Sequence, residues 1–439
     1  MSDLEEGRLE VGTSVELFAG GGGLAMAVHN AGFRPLLVNE FHKRACETLR
    51  ANLAVSRDKS DRTVSTGEEW PLVEGDVRDI PSFDFLEGRV DVLAGGPPCQ
   101  PFSLGGAHKG TEDERNMFPQ MFRAIREMRP KAVICENVRG LLRPSFEPYF
   151  NYILNEMRLP FVQRDDRVSW EEHNRILEKS LKEGSVDPSR RYEVYPIEVN
   201  AANYGVPQIR HRVIIIAFRA DLTVKWEEFQ PEEEYSEAAL IHSMQEGGTY
   251  WKRHDDVDDR VKEQVIDRLP PMLDVPDGKK PWRTLRDALK GIDWEDGTPA
   301  EKPLPEVLEH HLKPKSPADR VVGGVRDHVA WPGARKYAGH TPNVLDRPAK
   351  TVKAGVHGVP GGESVMELDD DTFDEGKGYR YMTVRETARV MTFPDRWVLE
   401  GPRGEKMRQL GNAVPVKLGE IFARAVAAAL EDASKRKRK

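Results

Sequence analysis

Cysteine is scarce in this chain: only Cys46, Cys99 and Cys135 occur, and no two of them form a C-x-x-C pair. That odd, scattered set excludes a disulfide framework and offers no zinc-ligand spacing, so no metal is expected. Long apolar runs are missing too, since none approaches the roughly 20 residues that span a bilayer. The opening MSDLEEGRLE is acidic and lacks the apolar centre of a secretory signal. These absences predict a cytoplasmic protein with no membrane partner. An excess of positive charge is also lacking. The net charge of -8 gives no support for a nucleic-acid partner when averaged over the chain, but DNA binding needs only a local basic surface. Basic clusters do occur at Arg210-His211-Arg212, Lys252-Arg253-His254, Arg335-Lys336 and in the tail from Lys435 to Lys439, a tail that reads as a solvated end.

What is present, in the first half, is an alternation of short apolar strands with amphipathic helices. Ser14 to Phe18, Pro35 to Glu40, Val90 to Ala94 and Lys131 to Cys135 read as buried strands. Helices are expected from Leu24, from Phe41 to Leu53 and around Phe118 to Met128, and Val194 to Val199 with Arg212 to Phe218 resemble a closing strand pair. That rhythm predicts an α/β fold with a doubly wound, mostly parallel sheet. The charged stretch 158–191 looks like a surface insertion. The expected organisation is a catalytic, cofactor-binding domain over 1–220, a smaller and irregular domain over 221–376, and a segment over 377–439 that returns to the first domain. That last segment holds helices at Thr383 to Met391 and Val416 to Glu431, and its Arg385-Glu386 reads as a structural ion pair.

Three short segments carry candidate chemistry. Phe18-Ala19-Gly20-Gly21-Gly22-Gly23-Leu24 lies between a strand and a helix, where glycines let the backbone approach a ligand and the helix start offers free N–H groups. Glu40, at the end of the second strand, is placed to hold a ribose hydroxyl pair, and Asp76 to accept from an adenine amino group. The plainer reading is a tight turn with two surface acids; the combination favours a nucleoside cofactor. Gly95-Gly96-Pro97-Pro98-Cys99-Gln100-Pro101-Phe102-Ser103 then puts a cysteine in a proline-stiffened loop at a strand's carboxyl end. Cys46 and Cys135 fall inside elements and read as buried. The glycines of Leu104 to Gly110 suit a loop that closes over substrate. Glu136-Asn137-Val138 sets an acid beside the cysteine loop at the same sheet edge.

In this order the segments resemble the motifs of the cytosine-C5 DNA methyltransferase family. Phe18 to Gly23 is similar to its cofactor motif, Pro97-Pro98-Cys99-Gln100 to its nucleophile motif and Glu136-Asn137-Val138 to its acid motif. Gln208-Ile209-Arg210-His211-Arg212 fits its Q-x-R-x-R, Arg347-Pro348-Ala349-Lys350-Thr351-Val352 its ninth motif and Gly411-Asn412-Ala413-Val414-Pro415 its last. The likeness covers nearly all of 13–218 and 378–430. It departs at 158–191 and at Met391, where the family often has Gln.

The resemblance implies the S-adenosylmethionine-dependent methyltransferase fold, and a methyl transfer from S-adenosylmethionine that leaves S-adenosyl-L-homocysteine without a metal. Phe18, Ala19, Gly20, Gly22, Gly23, Leu24, Glu40, Asp76, Val77, Pro98, Asn412 and Ala413 would line the cofactor. Carbon 5 of cytosine is a poor nucleophile, so covalent catalysis is needed. Cys99 as thiolate adds to carbon 6, carbon 5 takes the methyl, and loss of its proton expels the sulfur. A serine would be too basic for this near neutral pH. Glu136 would donate to ring nitrogen 3, Arg212 would bond the base carbonyl, and Arg210 would brace the phosphate backbone or the loop. The target cytosine must leave the duplex stack, and the stretch between the eighth and ninth motifs, about 221–346, would read double-stranded DNA. Gln100, Ser103, Gly105, Arg210, Arg335 and Lys336 are the expected DNA contacts. Lys252, Arg253, Arg320 and Arg326 are further candidates, whereas Trp251 and Trp331 read as core. One site acting on one strand implies a monomer, and a chain without regulatory domains resembles restriction-modification or phage-defence methylases that work beside a nuclease. The rivals are a tRNA cytosine-5 methyltransferase, disfavoured by the long second region, and a silent DNA-binding homologue, disfavoured by the intact cysteine, acid and arginine. An adenine or small-molecule methyltransferase would have no use for Pro-Pro-Cys.

Overall fold

The structure, a computed structural model, describes residues 10–98, 116–245, 247–270, 278–292, 301–336, 341–354 and 364–438. The chain divides into two units. The first takes Met1–Val199, His211–Pro231 and Gly419–Lys439, and the second takes Asn200–Arg210 and Glu232–Leu418. Residues 200–210 of the expected first domain therefore group with the second unit, as does the 377–418 part of the expected returning segment.

Eight strands build the sheet of the first unit: β1 Gly12–Leu17, β2 Phe33–Glu40, β3 Ala54–Arg57, β4 Trp70–Glu74, β5 Val92–Gly95, β6 Ala132–Val138, β7 Tyr192–Asn200 and β8 His211–Arg219. Their spatial order is β3-β4-β2-β1-β5-β6-β8-β7. Pairing is parallel from β3 through β6, and β8 runs antiparallel to β6. Strands covered on both faces need near-continuous apolar runs, which Val213 to Phe218 of β8 and Leu36 to Val38 of β2 supply. Five helices alternate with them: α1 Gly23–Asn30, α2 Lys43–Arg50, α3 Phe118–Met128, α4 Glu147–Arg158 and α5 Trp170–Glu183. In α2 the buried Ala45, Cys46, Thr48 and Leu49 form one stripe, while Lys43, Arg44 and Arg50 stay in solvent. The stretch expected as a surface insertion is anchored. On α5, His173 and Leu177 are buried, and the Tyr152 hydroxyl lies 3.1 Å from His173 Nδ1.

The second unit has shorter elements: β9 Tyr235–Ser236, α6 Glu237–Ser243, α7 Thr249–Arg253, α8 Asp259–Asp267, β10 Lys280–Pro281, α9 Leu285–Lys290, α10 Glu309–Leu312, β11 Val365–Glu367, α11 Phe373–Gly376, β12 Tyr379–Tyr381, α12 Val384–Val390 and α13 Arg403–Asn412. The helix α14, Val416–Arg438, closes the chain. Polar networks join these pieces. Arg286 on α9 pairs with Asp346 at 2.6 Å and Asp369 at 2.6 Å, and the Tyr250 hydroxyl donates to Asp346 at 2.6 Å. Arg385 and Glu386 do not pair with each other. Glu386 pairs with Arg380 at 2.7 Å, while Arg385 donates to the carbonyls of Arg326, Pro394 and Trp397.

Two buried carboxylates here give the fold an acid limit. Burial pushes Asp287 up, but the hydrogen bond from His254 and the charge of Arg253 outweigh it and hold the group at about 2. Glu386 is likewise pushed up by burial and brought to about 2 by Arg380. Both folded values lie below the unfolded range, so each group stabilises the fold above about pH 4 and that stability is lost as pH falls from about 4 through about 2, on the order of 2 kcal/mol each. Tryptophan fluorescence over an acid titration should show unfolding in this window, and Asp287→Asn should be less stable at neutral pH with a shallower acid dependence. An unchanged acid dependence would refute the assignment.

Candidate active site

The strand order reverses its direction of growth at β1, which lies between β2 and β5, and ligands of open α/β sheets bind outside the carboxyl ends at such a point. Leu17 is paired with Gly95, and Gly95 with Cys135. The glycine loop after β1, the proline turn after β5 and Glu136 on β6 therefore leave the sheet side by side. Because β8 is antiparallel, its opening residues arrive at this same edge, with Arg212 opposite Val138 and Ile214 opposite Glu136.

Glu136 and Arg212 meet there. Arg212 Nε lies 2.8 Å from Glu136 Oε1, both side chains are mostly buried, and Arg212 Nη1 donates to the His211 carbonyl at 2.8 Å. A Cβ added at Gly96 would lie 3.5 Å from Glu136 Oε2, and one at Gly95 would stand 2.7 Å from the Leu17 carbonyl, a distance that excludes any side chain. Asn137 contributes a role not foreseen from its type: its Nδ2 donates to the Pro97 carbonyl at 2.9 Å and ties the proline turn to β6. The Pro98 carbonyl accepts from Met117 N at 3.2 Å. Cys99, Gln100, Ser103 and Gly105, with the rest of the expected closing loop, lie outside the described residues. Cys46 and Cys135 are buried, and burial followed by the charge of Glu40 pushes the Cys46 thiol up to about 12.

The glycine loop is built around Glu40. Gly20 N donates to Glu40 Oε2 and His42 N to Oε1, each at 2.6 Å, so the buried carboxylate is fixed in orientation. Its remaining lone pairs can still accept from a ligand. Asn39 holds the neighbouring strand ends, since its carbonyl accepts from Ala19 N at 3.0 Å and its Nδ2 donates to the carbonyls of Val73 and Gly75. Phe18 has φ 60 and is half-buried, a strained conformation for an aromatic residue of the kind that clusters at functional sites. Gly20, at φ 56, has open space where a Cβ would stand, and Gly22, at φ 90, precedes α1 without a side-chain cap. Gly23 and Leu24 open that helix and are buried. This open glycine cradle beside a fixed carboxylate fits a nucleoside. Asp76 is less free than expected: Arg78 engages both its oxygens, at 3.0 and 2.5 Å, and holds its carboxyl below the usual range, while Val77 is buried. Asn412, exposed, and Ala413, buried, belong to the second unit.

Arg210 differs from Arg212. It is 1% exposed, and its Nη1 donates to the Val352 carbonyl and its Nη2 to those of Gly411 and Ala413, each at 2.9 Å. Buried in this way it reaches protein carbonyls, not a phosphate, and clasps the ninth and last motif segments. Gln208 works beside it, donating to the Val390 carbonyl at 3.5 Å and accepting from Val352 N at 3.0 Å. Arg335 is exposed, and Lys336 pairs with Glu367 at 2.9 Å. Among the described residues, no group of three His, Cys, Asp or Glu side chains is placed to hold a metal, and no helix is long and apolar enough to cross a membrane.

Sheet, glycine cradle and acid–arginine edge together define an enzyme of the S-adenosylmethionine-dependent methyltransferase fold. The chain belongs to the C-5 cytosine-specific DNA methylase family, whose model matches residues 12–159 and 171–428. It is 32% identical to the Type II methyltransferase M.Eco47II of Escherichia coli over 97% of this chain and 81% of that one. With the Type II methyltransferase M.NgoMIV of Neisseria gonorrhoeae it shares 28% identity over 95% and 98% of the two chains. Among solved structures, one described as a DNA modification methyltransferase encoded within an E. coli prophage superposes with a TM-score of 0.52 at 20% identity, covering 96% of this chain and 99% of that one, a likeness of fold.

Proposed function

We propose that the protein transfers a methyl group to carbon 5 of a cytosine flipped out of duplex DNA, as the modification enzyme of a restriction-modification or phage-defence system. The observation that carries this reading is the Glu136–Arg212 pair at the edge shared with the Pro97-Pro98 turn, which precedes Cys99 in sequence, in a chain that belongs to the family along almost its whole length. S-adenosylmethionine supplies the methyl group when bound and departs as S-adenosyl-L-homocysteine. Glu40 would orient its ribose, with Phe18, Ala19, Gly20, Gly22, Gly23 and Leu24 as the cradle and Asp76, Val77 and Pro98 as its flank; Asn412 and Ala413 are assigned to it by resemblance.

The protein's own part is covalent catalysis on the base. The Cys99 thiolate forms a bond to carbon 6, and the electron pair displaced from the ring becomes available at carbon 5. Glu136 handles the charge at ring nitrogen 3 by hydrogen bonding, and Arg212, already held against Glu136, takes the base carbonyl. After methylation the carbon-5 proton leaves, the carbon–sulfur bond breaks, and the thiolate is restored. Gln100, Ser103 and Gly105 would touch the flipped strand, with Arg335 and Lys336 nearer the duplex, and Arg210 acts from behind as a clasp. A monomer working beside a cognate nuclease completes the reading. The test is incubation with methyl-labelled S-adenosylmethionine and either duplex DNA or tRNA. Label recovered as 5-methylcytosine in DNA is expected; label in tRNA alone would transfer the case to the tRNA enzyme.

A further inference from the structure

Many basic side chains of the second unit pair with a carboxylate, although Lys252, among the described residues, does not. Of the cations in the region expected to read DNA, Arg253 pairs with Asp287, Arg326 with Glu400 and Lys336 with Glu367. Arg320 breaks this pattern, and so does Arg403, which sequence reasoning did not single out. Among the described residues neither has a carboxylate within ion-pair distance. Instead both guanidinium groups stand over one ring, that of Trp331, at 5.7 Å for Arg320 and 5.2 Å for Arg403. Arg403 is also 5.6 Å from the Tyr381 ring and donates one hydrogen bond, to the Met382 carbonyl at 3.3 Å. Trp331 was expected in the core, yet it is 39% exposed, whereas Trp251 is buried as its type suggests. Arg335, a short way along the chain, is exposed and also lacks a carboxylate partner among the described residues.

Two like charges held over a half-exposed indole, in a protein of net charge -8, are a costly surface unless an anion completes it. Cation–π contact with the indole offsets part of the cost. Burial works against the charge on Arg403, and a neighbouring anion would relieve it. Two guanidinium groups fixed over one ring suit the repeated phosphates of a nucleic-acid backbone, with the indole holding the cations in place. We propose that Trp331 with Arg320 and Arg403 forms a docking face for the phosphate backbone of the substrate duplex, which holds DNA without reading its sequence. This rests on the reading of the chain as a DNA methyltransferase and names residues that would carry its substrate.

The experiment is fluorescence anisotropy of the full chain on two labelled duplexes, one that accepts methyl label and one that does not, across a range of salt concentrations. Arg320→Gln and Arg403→Gln are each expected to flatten the slope of log affinity against log salt by about 0.9, equally on both duplexes. Arg320→Lys should keep the wild-type slope, because a phosphate contact needs the point charge. Arg403 is packed and its variant can suffer in folding, so Arg320→Gln decides: it is half-buried and, among the described residues, its side chain gives up no hydrogen bond. An unchanged slope in Arg320→Gln overturns the proposal, as does a loss confined to the methylated duplex, which would mean base reading. Excess inorganic phosphate should not compete with DNA, and competition at millimolar concentration would reduce the face to a simple anion site. Wild-type protein that neither binds nor labels DNA would instead overturn the parent reading, and the label assay on the same preparation separates the two failures.

Discussion

Replacing Cys99 by alanine should abolish methyl transfer, with a loss on the order of 10^4-fold or more, as expected when a covalent nucleophile is removed. Neither cysteine among the described residues can substitute for it. Cys46 is buried with its thiol pushed up to about 12, and Cys135 is buried within β6. Duplex binding, measured separately, should persist in the variant, because the substitution leaves every basic side chain proposed to face DNA untouched. Retention of even a few per cent of wild-type methylation would rule out covalent addition through this sulfur. A parallel loss of DNA binding would show that the proline turn, not the thiol, had been damaged.

The second large effect concerns stability. Arg210→Ala should lower the unfolding free energy by about 3 to 5 kcal/mol, since three buried carbonyls lose their donor and a large side chain leaves a cavity. For a unit of this size that corresponds to a drop in melting temperature of roughly 10 °C. Arg210→Lys should recover little, because one ammonium cannot reproduce the planar fork that serves Val352, Gly411 and Ala413 together. Calorimetry distinguishes this clasp from a phosphate contact: a variant that melts normally but loses salt-dependent DNA affinity would restore the phosphate role.

The contrast between Arg210 and Arg212 marks where sequence reading stops. Both belong to one motif and both were expected near substrate. β8 begins at His211, so only Arg212 is on the strand, and its partner is set by the antiparallel register that puts it opposite Val138. Register between strands so far apart in sequence leaves no local trace. The glycine cradle, Glu40 and Glu136 were legible because chemistry at a strand's carboxyl end demands particular residue types there. β3 was not: with only Ala54 buried it has no apolar run, and it forms by pairing with β4. The second unit left little periodic signal because side-chain networks such as Arg286 with Asp346 and Asp369 join its short elements. Trp331 illustrates the same limit, since residue type alone assigns a tryptophan to the core.

The chain crosses between its two units after Val199, Arg210, Pro231 and Leu418. Modularity is therefore limited in a way that matters for recombination between relatives of different specificity. An exchanged cassette running from residue 232 to 418 would carry foreign counterparts of Val352, Gly411 and Ala413, yet the arginine that clasps them would remain with the recipient at position 210. Chimeras should tolerate such an exchange only where the incoming backbone presents carbonyls to that resident guanidinium, or where residues 200–210 travel with the cassette.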